Sequence, residues 1–276
     1  TVTARTISSL AEVNADEWDA CAGTSNPFLL HAFLSSLEES GSCTAETGWL
    51  PQHLLLEGNQ HKLIGAMPLY VKGHSQGEYV FDHNWAHAYE NAGGHYYPKL
   101  QASVPFTPAT GPRLLVPPGK SRERNQRILI RAATQVADNL GVSSLHITFP
   151  TEREWELMGD NGLLQRTGEQ FHWENHGYES FEEFLANLTS RKRKSIRKER
   201  TRAAANGIKI EKLTGDDIKT EHWDAFFQFY TDTGHRKWGT PYLTRSFFDL
   251  VHERMRENIA LIMCQRDNRY IAGALN

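Results

Sequence analysis

The sequence predicts an α/β protein made of two copies of one unit, each with a mixed central sheet. The order strand, helix, helix, hairpin occurs over residues 1–71 and again over residues 208–276, and such a repeat indicates a duplicated unit. The length of 276 residues suits about two domains of ordinary size. The second copy stops where the first continues into a Pro-rich strand and a further helix, so we expect it to be truncated at its C-terminus.

Apolar periodicity defines the elements of the first copy. Weak alternation over 2–7 predicts an edge strand, and helical spacing predicts helices over 11–22 and 28–39. The strand patterns at 53–57 and 63–71 are joined across Gly58-Asn59 as a hairpin. An apolar stripe over 121–140, stopped by Gly141, predicts a long helix, and 163–173 is interpreted as another strand.

The same patterns define the second copy. Residues 208–213 alternate as a strand, apolar stripes predict helices over 222–238 and 246–258, and 259–265 pairs with 270–275 as a hairpin. We therefore place a first domain at 1–177, a basic connecting helix at 178–207 and an incomplete second domain at 208–276.

The most charged segment is 190–202, S-R-K-R-K-S-I-R-K-E-R-T-R. Eight basic residues stand against one acid, Glu199, a local charge of +7 in a chain of net charge −3. Such a concentration repels itself, and a partner with phosphates or carboxylates relieves the repulsion. Ser180 and Glu183 form a capping-box pattern, so we predict one helix over 181–206. A solvated helix face or a basic tail has about equal weight from charge alone.

Composition and cysteine usage exclude several classes. With 39% hydrophobic and 23% charged residues the chain is typical of soluble globular proteins. No apolar run approaches the ~18 residues of a membrane helix, and the N-terminus lacks the pattern of a secretory signal. Cys21, Cys43 and Cys264 lack C-x-x-C spacing, which argues against a disulfide framework and a zinc site. We predict a cytoplasmic protein.

A histidine pair raises the question of a metal. His83 and His87 stand at i, i+4 with Glu90 one turn on, a spacing that would suit metal ligands on one helical face. Asn84 stands where the H-E-x-x-H pattern needs its Glu. We therefore prefer aromatic-rich packing or a cleft wall for this segment and predict no metal.

Three motifs carry a family resemblance, Y-Y-P-K-L-Q-A-S-V-P-F-T-P-A-T-G-P-R (96–113), S-R-K-R-K-S-I-R-K-E-R (190–200) and F-Y-T-D-T-G-H-R-K-W-G-T-P-Y-L-T-R (229–245). With them the chain resembles, over nearly its whole length, the FemAB-like family of the GNAT superfamily, two-domain relatives of the Fem aminoacyltransferases of bacterial cell-wall synthesis. The resemblance implies tandem GNAT-like domains. It also implies transfer of an acyl group from an activated carrier, acyl-CoA or aminoacyl-tRNA, to an amine, with no bound cofactor.

One segment departs from the GNAT pattern. GNAT enzymes hold the carrier pyrophosphate on a Q/R-x-x-G-x-G/A loop, but the corresponding segment of the first copy, P-P-G-K-S-R-E-R (117–124), has no G-x-G. In the second copy the segment would follow Asn276. We therefore expect the first domain to be a degenerate, supporting copy and the carrier loop to lie outside this chain.

Three segments supply the expected contacts with substrate or carrier, although no catalytic triad pattern is present. Aminolysis in a GNAT-like site depends mostly on proximity, so a triad is not required. Each residue has an alternative interpretation as core, turn or surface charge. The candidates are Lys99 and Arg113 of the Pro-rich segment, Arg191, Lys192, Arg193, Lys194 and Arg197 of the basic helix, and Arg236, Trp238 and Tyr242 before the last helix.

Two non-catalytic alternatives remain open. The basic helix suits a binder of RNA or another anionic polymer, whose affinity would fall steeply with salt. Against RNA, residues 190–202 carry no interleaved aromatics for base stacking. The other alternative is an inactive scaffold that binds anionic cell-wall fragments. The predicted partner in every case is an anion, namely CoA, tRNA or a cell-wall precursor.

Overall fold

The computed structural model of the chain describes residues 2–205, 207–237 and 239–276. Contacts group the chain into two compact units, Thr1–Gln165 with Lys237–Asn258 (unit 1) and Arg166–Arg236 with Ile259–Asn276 (unit 2). The elements in chain order are β1 Thr3–Ile7, α1 Ala15–Ala22, α2 His31–Glu39, β2 Trp49–Pro51, β3 His53–Glu57, β4 Leu63–Met67, β5 Leu69–Lys72, α3 His83–Asn91, β6 Lys99–Ala102, α4 Arg122–Leu140, β7 Leu145–Ile147, α5 Glu152–Asp160, α6 Phe181–Ala186, α7 Ser190–Ala203, β8 Lys209–Thr214, α8 Thr220–Arg236, α9 Arg245–Met255, β9 Ala260–Arg266 and β10 Arg269–Leu275.

Unit 1 contains two sheets. One is antiparallel in the order β1-β3-β4, and the other is mixed in the order β2-β5-β6-β7, with β6 and β7 parallel. Helix α4 makes the crossover between these parallel strands and ends at Gly141, whose φ of 62° is the left-handed conformation that glycine adopts most readily. Its apolar stripe packs Leu129, Ile130 and Ala133 into the core of the unit.

The predicted strand over 63–71 is two strands. Pro68 separates β4 from β5, and because proline has no N–H to donate, it interrupts a ladder. The two halves enter different sheets, β4 pairing with β3 and β5 pairing with β2 and β6. The predicted pairing of 53–57 with the first half of that strand is confirmed.

Helix α9 lies in unit 1, where it packs against α2. Arg254 forms two hydrogen bonds with Glu39, at 2.9 and 2.6 Å. Thr244, which caps the start of α9, donates its hydroxyl to the carbonyl of Ser40 at 3.0 Å. These contacts group α9 differently from the predicted domain boundary at 208, and the division into duplicated domains stays a prediction.

Unit 2 is built on the antiparallel sheet β8-β9-β10, against which α8 packs. The hairpin turns at Asp267 and Asn268, both with positive φ, as the sequence predicts. A mixed sheet is thus found in unit 1 but not among the described strands of unit 2, because a parallel neighbour needs a crossover such as β6–α4–β7.

Two predicted elements are wrong. Residues 163–173 form no strand; Leu164 and Phe171 are 96% and 97% exposed, so the apolar pattern there has no partner to pack on. The single helix over 181–206 is two helices, α6 and α7, because Thr189 leaves the helical conformation and caps α7 through its side chain. Position 206 lies outside the described residues. No helix in the described part of the chain is long and apolar enough to cross a membrane.

Candidate functional site

One face of the mixed sheet in unit 1 is polar although it is buried. Strand alternation sends the apolar residues of β5 and β6 into the core and their polar neighbours to the opposite side. The register pairs Lys72 with Lys99, Tyr70 with Gln101, and Trp49 with Lys72. All five side chains are at most 1% exposed. We call these five residues the polar face. Two lysines lie opposite each other on it, and a buried positive charge is costly unless a negative charge or hydrogen bonds stabilise it.

Lys99 is compensated by two buried carboxylates. Its Nζ donates to Glu78 Oε2 at 2.7 Å and to Asp82 Oδ2 at 2.5 Å. Tyr96 and Tyr97 also donate their hydroxyls to Asp82, at 2.9 and 3.1 Å. Burial would raise the pKa of the Asp82 carboxyl, but the hydrogen bond and the charge of Lys99 outweigh it and lower that pKa to about 2. The sequence predicts that Lys99 contacts a ligand, whereas in the structure its ammonium group contacts two carboxylates of the protein itself.

Lys72 is far less well compensated than Lys99. Its Nζ lies 3.6 Å from the centroid of the Trp49 ring and donates to the carbonyl of Gln76 at 3.2 Å. Among the described residues no carboxylate lies within 4.0 Å of this nitrogen. Burial therefore lowers the pKa of Lys72 to about 7, although Glu78 opposes the shift. Lys72 can thus take up or release a proton near neutral pH, which suits acid–base chemistry.

Several buried polar atoms around the polar face have no hydrogen-bond partner among the described residues. They are Trp49 Nε1, Tyr70 OH, Glu78 Oε1, Gln101 Oε1 and Ser103 Oγ. Buried polar groups are nearly always paired, with protein, water or ligand. Burial also raises the pKa of Glu78, although the charge and the hydrogen bond of Lys99 oppose the shift. The cluster therefore has the chemical character of a site for water or a polar ligand.

Tyr242 reaches this cluster through stacked rings. It lies parallel to Phe106, with ring centroids 4.9 Å apart, and Phe106 meets Trp49 edge-on at 5.3 Å. The φ of Phe106 is 59°, and its N–H donates to the carbonyl of Gly77, which is in the same loop as Glu78. Of the predicted contacts in unit 1, Tyr242 and Lys99 thus belong to one connected set of residues.

Arg113 belongs to a different network. It is fully buried, and its guanidinium donates to the carbonyls of Thr148, Gly111, Pro112 and Ala109 at 2.9, 3.2, 3.1 and 2.7 Å. Burial lowers its pKa to about 10. The sequence predicts Arg113 on a wall that faces a ligand, but in the structure it fastens the Pro-rich segment to the end of the sheet.

The remaining basic candidates lie in unit 2, mostly on α7. No residue of this helix is buried. Arg197 pairs with Glu182 at 2.5 Å, and Arg193 donates to the carbonyl of Ala186 at 3.4 Å. Side chains of Arg191, Lys192 and Lys194 are exposed. A net charge of +7 on an exposed helix of 14 residues forms a strong local positive potential, which attracts phosphates.

The other two candidates stand at or just after the end of α8 in the sequence. Arg236, the last residue of α8, is exposed and pairs with Asp232 one turn earlier, at 2.9 Å. Trp238 lies outside the described residues. The prediction that the three segments line one cleft stays a prediction.

The histidine pair of α3 faces solvent. His83, His87 and Glu90 are exposed, and among the described residues no group of three or more His, Cys, Asp or Glu side chains is placed to hold a metal ion. The ring of Phe81 stacks on His83 at 6.0 Å, and Trp85 meets His146 edge-on at 6.3 Å, so this segment is rich in aromatic contacts.

The sequence gives weak signals for the two most unusual residues of the site. Lys72 is the last residue of a strand, and Glu78 lies in a loop without a motif. The one available signal is the hydrophobic alternation of 69–72 and 99–102, which puts Lys72 and Lys99 on the face opposite the leucines.

Among known proteins, a solved structure matches this chain although the two share little sequence similarity. It is the aminoglycoside antibiotic 6′-N-acetyltransferase AAC(6′)-Ih from Acinetobacter baumannii, with 10% identity and a TM-score of 0.37 over 64% of this chain and 100% of that one. No curated protein matches.

The profile of the FemAB-like family, described as peptidoglycan biosynthesis/recognition, matches residues 9–276. The chain therefore belongs to the FemAB-like family, as its three motifs indicate.

Proposed function

We propose that the protein transfers an acyl or aminoacyl group from an activated carrier, acyl-CoA or aminoacyl-tRNA, to an amine of a cell-wall peptide precursor. Its family membership supplies the process, peptidoglycan biosynthesis. The observation that carries the proposal is α7, whose eight cations include no buried residue. Both carriers are polyanions, and several Lys and Arg side chains on one helix suit their phosphates.

The repeated order of elements supports the view of the chain as two copies of a GNAT-like unit. Strand, helix, helix and hairpin recur as β1–α1–α2–β3–β4 and β8–α8–α9–β9–β10, and in each the three strands are antiparallel neighbours in that order. The first copy continues into β5, β6 and α4.

The reaction needs a proton acceptor. The nitrogen of the amine attacks the carbonyl carbon of the thioester or ester, the bond to the carrier sulfur or oxygen breaks, and the leaving group takes a proton as the amine loses one.

The test of the function is transfer by the full chain. Acetyl-CoA or aminoacyl-tRNA is supplied together with a peptidoglycan precursor that bears a free amine, and the acylated product is followed by mass. In the test triple Arg191, Lys194 and Lys198 are changed to Gln, and in the control triple Lys62, Arg131 and Arg153, also exposed cations, are changed to Gln.

We expect KM for the carrier to rise about 10-fold or more in the test triple, because phosphate contacts are lost, and to stay near the wild-type value in the control triple. Absence of product with both carriers would refute transfer, and equal KM values in the two triples would refute the role of α7.

Recognition without turnover is the second candidate. It is favoured by the family description, which couples biosynthesis with recognition, and by the same exposed cations. In this case RNA or anionic cell-wall fragments bind through α7, the test triple binds them more weakly than the control triple, and no product forms under any of the above conditions.

A further inference from the structure

An aromatic cavity lies at the base of the basic helix in unit 2. The cavity has a volume of about 450 Å³, within the ~300–1,000 Å³ of small-molecule sites. Its walls are formed by residues between positions 173 and 184, which precede α7 in the sequence. The lining residues are Trp173, Asn175, Tyr178, Glu179, Ser180, Phe181 and Phe184.

Four aromatic rings line the cavity, and three of them are arranged around the fourth, Phe184. The centroid of that ring lies 6.0 Å from Trp173, 5.7 Å from Tyr178 and 5.7 Å from Phe181. Trp173 nevertheless remains 65% exposed, and Phe181 40%. A cluster that served only to anchor the loop would bury its largest ring; here the tryptophan face is available to solvent.

The polar residues of the cavity are engaged in holding the loop. Asn175 Oδ1 accepts from the N–H groups of Gly177 and Tyr178 at 3.1 and 2.7 Å. Ser180 Oγ accepts from the N–H of Glu183 at 3.2 Å and so caps α6. The loop is thus preorganised, and the open rings keep their positions before anything binds.

Cations of α7 stand directly beside this cavity. The guanidinium of Arg200 lies 4.2 Å from the centroid of the Phe181 ring, a cation–π geometry. One turn earlier on the same helix, Arg197 pairs with Glu182 of α6 at 2.5 Å. The two contacts join α6 to α7, so stacking surfaces and positive charge form one continuous surface.

We propose that this cavity binds the purine nucleotide of the carrier, with the base stacked among Trp173, Phe181 and Phe184 and the phosphates contacted by Arg200 and its neighbours on α7. Aromatic faces beside Lys and Arg are the combination that binds nucleotides without sequence preference. The inference rests on the proposed function, since acyl-CoA and aminoacyl-tRNA both carry an adenosine next to phosphates.

Charge selects this occupant over an apolar one. A hydrocarbon or apolar peptide would contact the rings but offer no anion to Arg200, whereas a nucleotide offers both a ring and phosphates. Among the described residues that line the cavity, Glu179 is the carboxylate; it would repel a phosphate placed beside it but suits the amino group on the edge of a purine. The aromatics that residues 190–202 lack are thus supplied by the segment 173–184.

Binding of defined ligands to the full chain tests the site. The probes are CoA, adenosine 3′,5′-bisphosphate, pantetheine, which lacks the nucleotide, and a short acceptor-stem RNA that ends in adenosine. Titration calorimetry gives Kd for each, and CoA and RNA as separate arms identify the source of the nucleotide. The variants are Trp173→Leu and Arg200→Gln, with Trp85→Leu as the control, because Trp85 is a comparably exposed tryptophan of unit 1, 52% exposed.

We expect the bisphosphate and at least one of CoA and RNA to bind, and pantetheine to fail. Trp173→Leu and Arg200→Gln should each weaken binding by about 5-fold or more, with Trp85→Leu unchanged. Failure of all nucleotide probes, equal binding of pantetheine, or an unchanged Kd in Trp173→Leu would each overturn the site. If nucleotides bind at this site but no transfer occurs, the site stands and the proposed function falls; if transfer occurs with unchanged KM in Trp173→Leu, the reverse holds.

Discussion

Lys72 shows how burial, together with the charge of a neighbouring lysine, Lys99, can lower the pKa of one side chain. It lies at 0% exposure, where loss of hydration disfavours its charged form. The charged or titratable groups that influence it are Glu78, Lys99, Cys43, Asp82 and His74. Glu78 and Asp82 favour the cation, but both are already engaged by Lys99.

The sign of the resulting pH dependence follows from the proton count. Lys72 has a folded-state pKa of about 7, against 10.5 for the free side chain. Between these values the unfolded chain binds more protons than the folded one, so stability rises with pH, by up to about 1.4 kcal/mol per pH unit. A Lys72 variant keeps every other titratable group, so the difference between its slope and the wild-type slope from pH 7 to 9 isolates Lys72.

Lys72→Met should therefore remove this rise. The free energy of unfolding, measured by urea titration at several pH values, should climb more steeply from pH 7 to 9 in the wild type than in the variant. Met fills a similar volume without a charge to bury. Lys62→Met, which changes an exposed lysine, serves as the control and should keep the wild-type slope; parallel curves for Lys72→Met would contradict the shifted pKa.

Replacement of Arg113 should lower the free energy of unfolding of unit 1. Its guanidinium serves four backbone carbonyls, and its backbone N–H and that of Leu114 donate to Glu154 at 2.8 and 3.0 Å. Arg113→Met leaves the carbonyls unpaired and Glu154 without a nearby cation, so we expect a loss of about 3 kcal/mol or more. Arg131→Met, at an exposed position, should change the free energy of unfolding by less than about 0.5 kcal/mol. A loss that small in Arg113→Met would show that the carbonyls find other partners.

Single residues are the scale at which the sequence was least informative. Lys99 and Arg113 are cations in a Pro-rich segment, and charge in such a segment favours a ligand contact. Neither the burial of Lys99 nor its partners, Glu78 and Asp82, 21 and 17 positions away, can be read from a linear pattern, because they depend on how the loop after β5 folds back.

At the scale of elements, the break between α6 and α7 separates a packed helix from a charged one. Leu185 of α6 is buried, whereas no residue of α7 is buried. Helix α7 therefore depends on its contacts with α6 and on its N-cap, where Thr189 Oγ1 accepts from the N–H of Lys192 at 3.5 Å.

Thr189→Ala should therefore destabilise α7 locally by about 1 kcal/mol. Hydrogen exchange of the first-turn amides should accelerate about 5-fold, while the global free energy of unfolding stays nearly constant. Thr201→Ala removes a hydroxyl that bonds to the carbonyl of Arg197 within the same helix and should leave the first turn unchanged. Equal protection of Lys192 in Thr189→Ala and the wild type would indicate that the cap contributes nothing.

Elements with strong local signals were predictable, and those that depend on distant partners were not. Gly141 ends α4 and Asp267-Asn268 turns the last hairpin, because positive φ selects these residue types. The break at Thr189 was missed because the apolar stripe continues across it in sequence. The strand over 163–173 was predicted from composition, but a strand needs a neighbour to bond, and none is present there.

At the scale of the whole molecule, the distribution of charge matters more than its sum. The net charge of −3 hides a segment of +7, which leaves −10 on the rest of the chain. The family and the α/β class could be predicted from the sequence, since motifs and element order are local patterns. The polar face of unit 1 could not, because it joins segments whose proximity the fold creates. The aromatic cavity of unit 2 is formed by one stretch, 173–184, but its first residue was assigned to a predicted strand.

This uneven charge predicts a strong and localised salt dependence. A tRNA bound through α7 displaces counterions in proportion to the cations that contact it. In the test triple, Arg191, Lys194 and Lys198 to Gln, the slope of log K against log salt concentration should be shallower than in the wild type by roughly two to three. The control triple, Lys62, Arg131 and Arg153 to Gln, lowers the net charge of the chain equally and should keep the wild-type slope. If both triples shift the slope alike, binding responds to overall charge, and α7 has no special part in it.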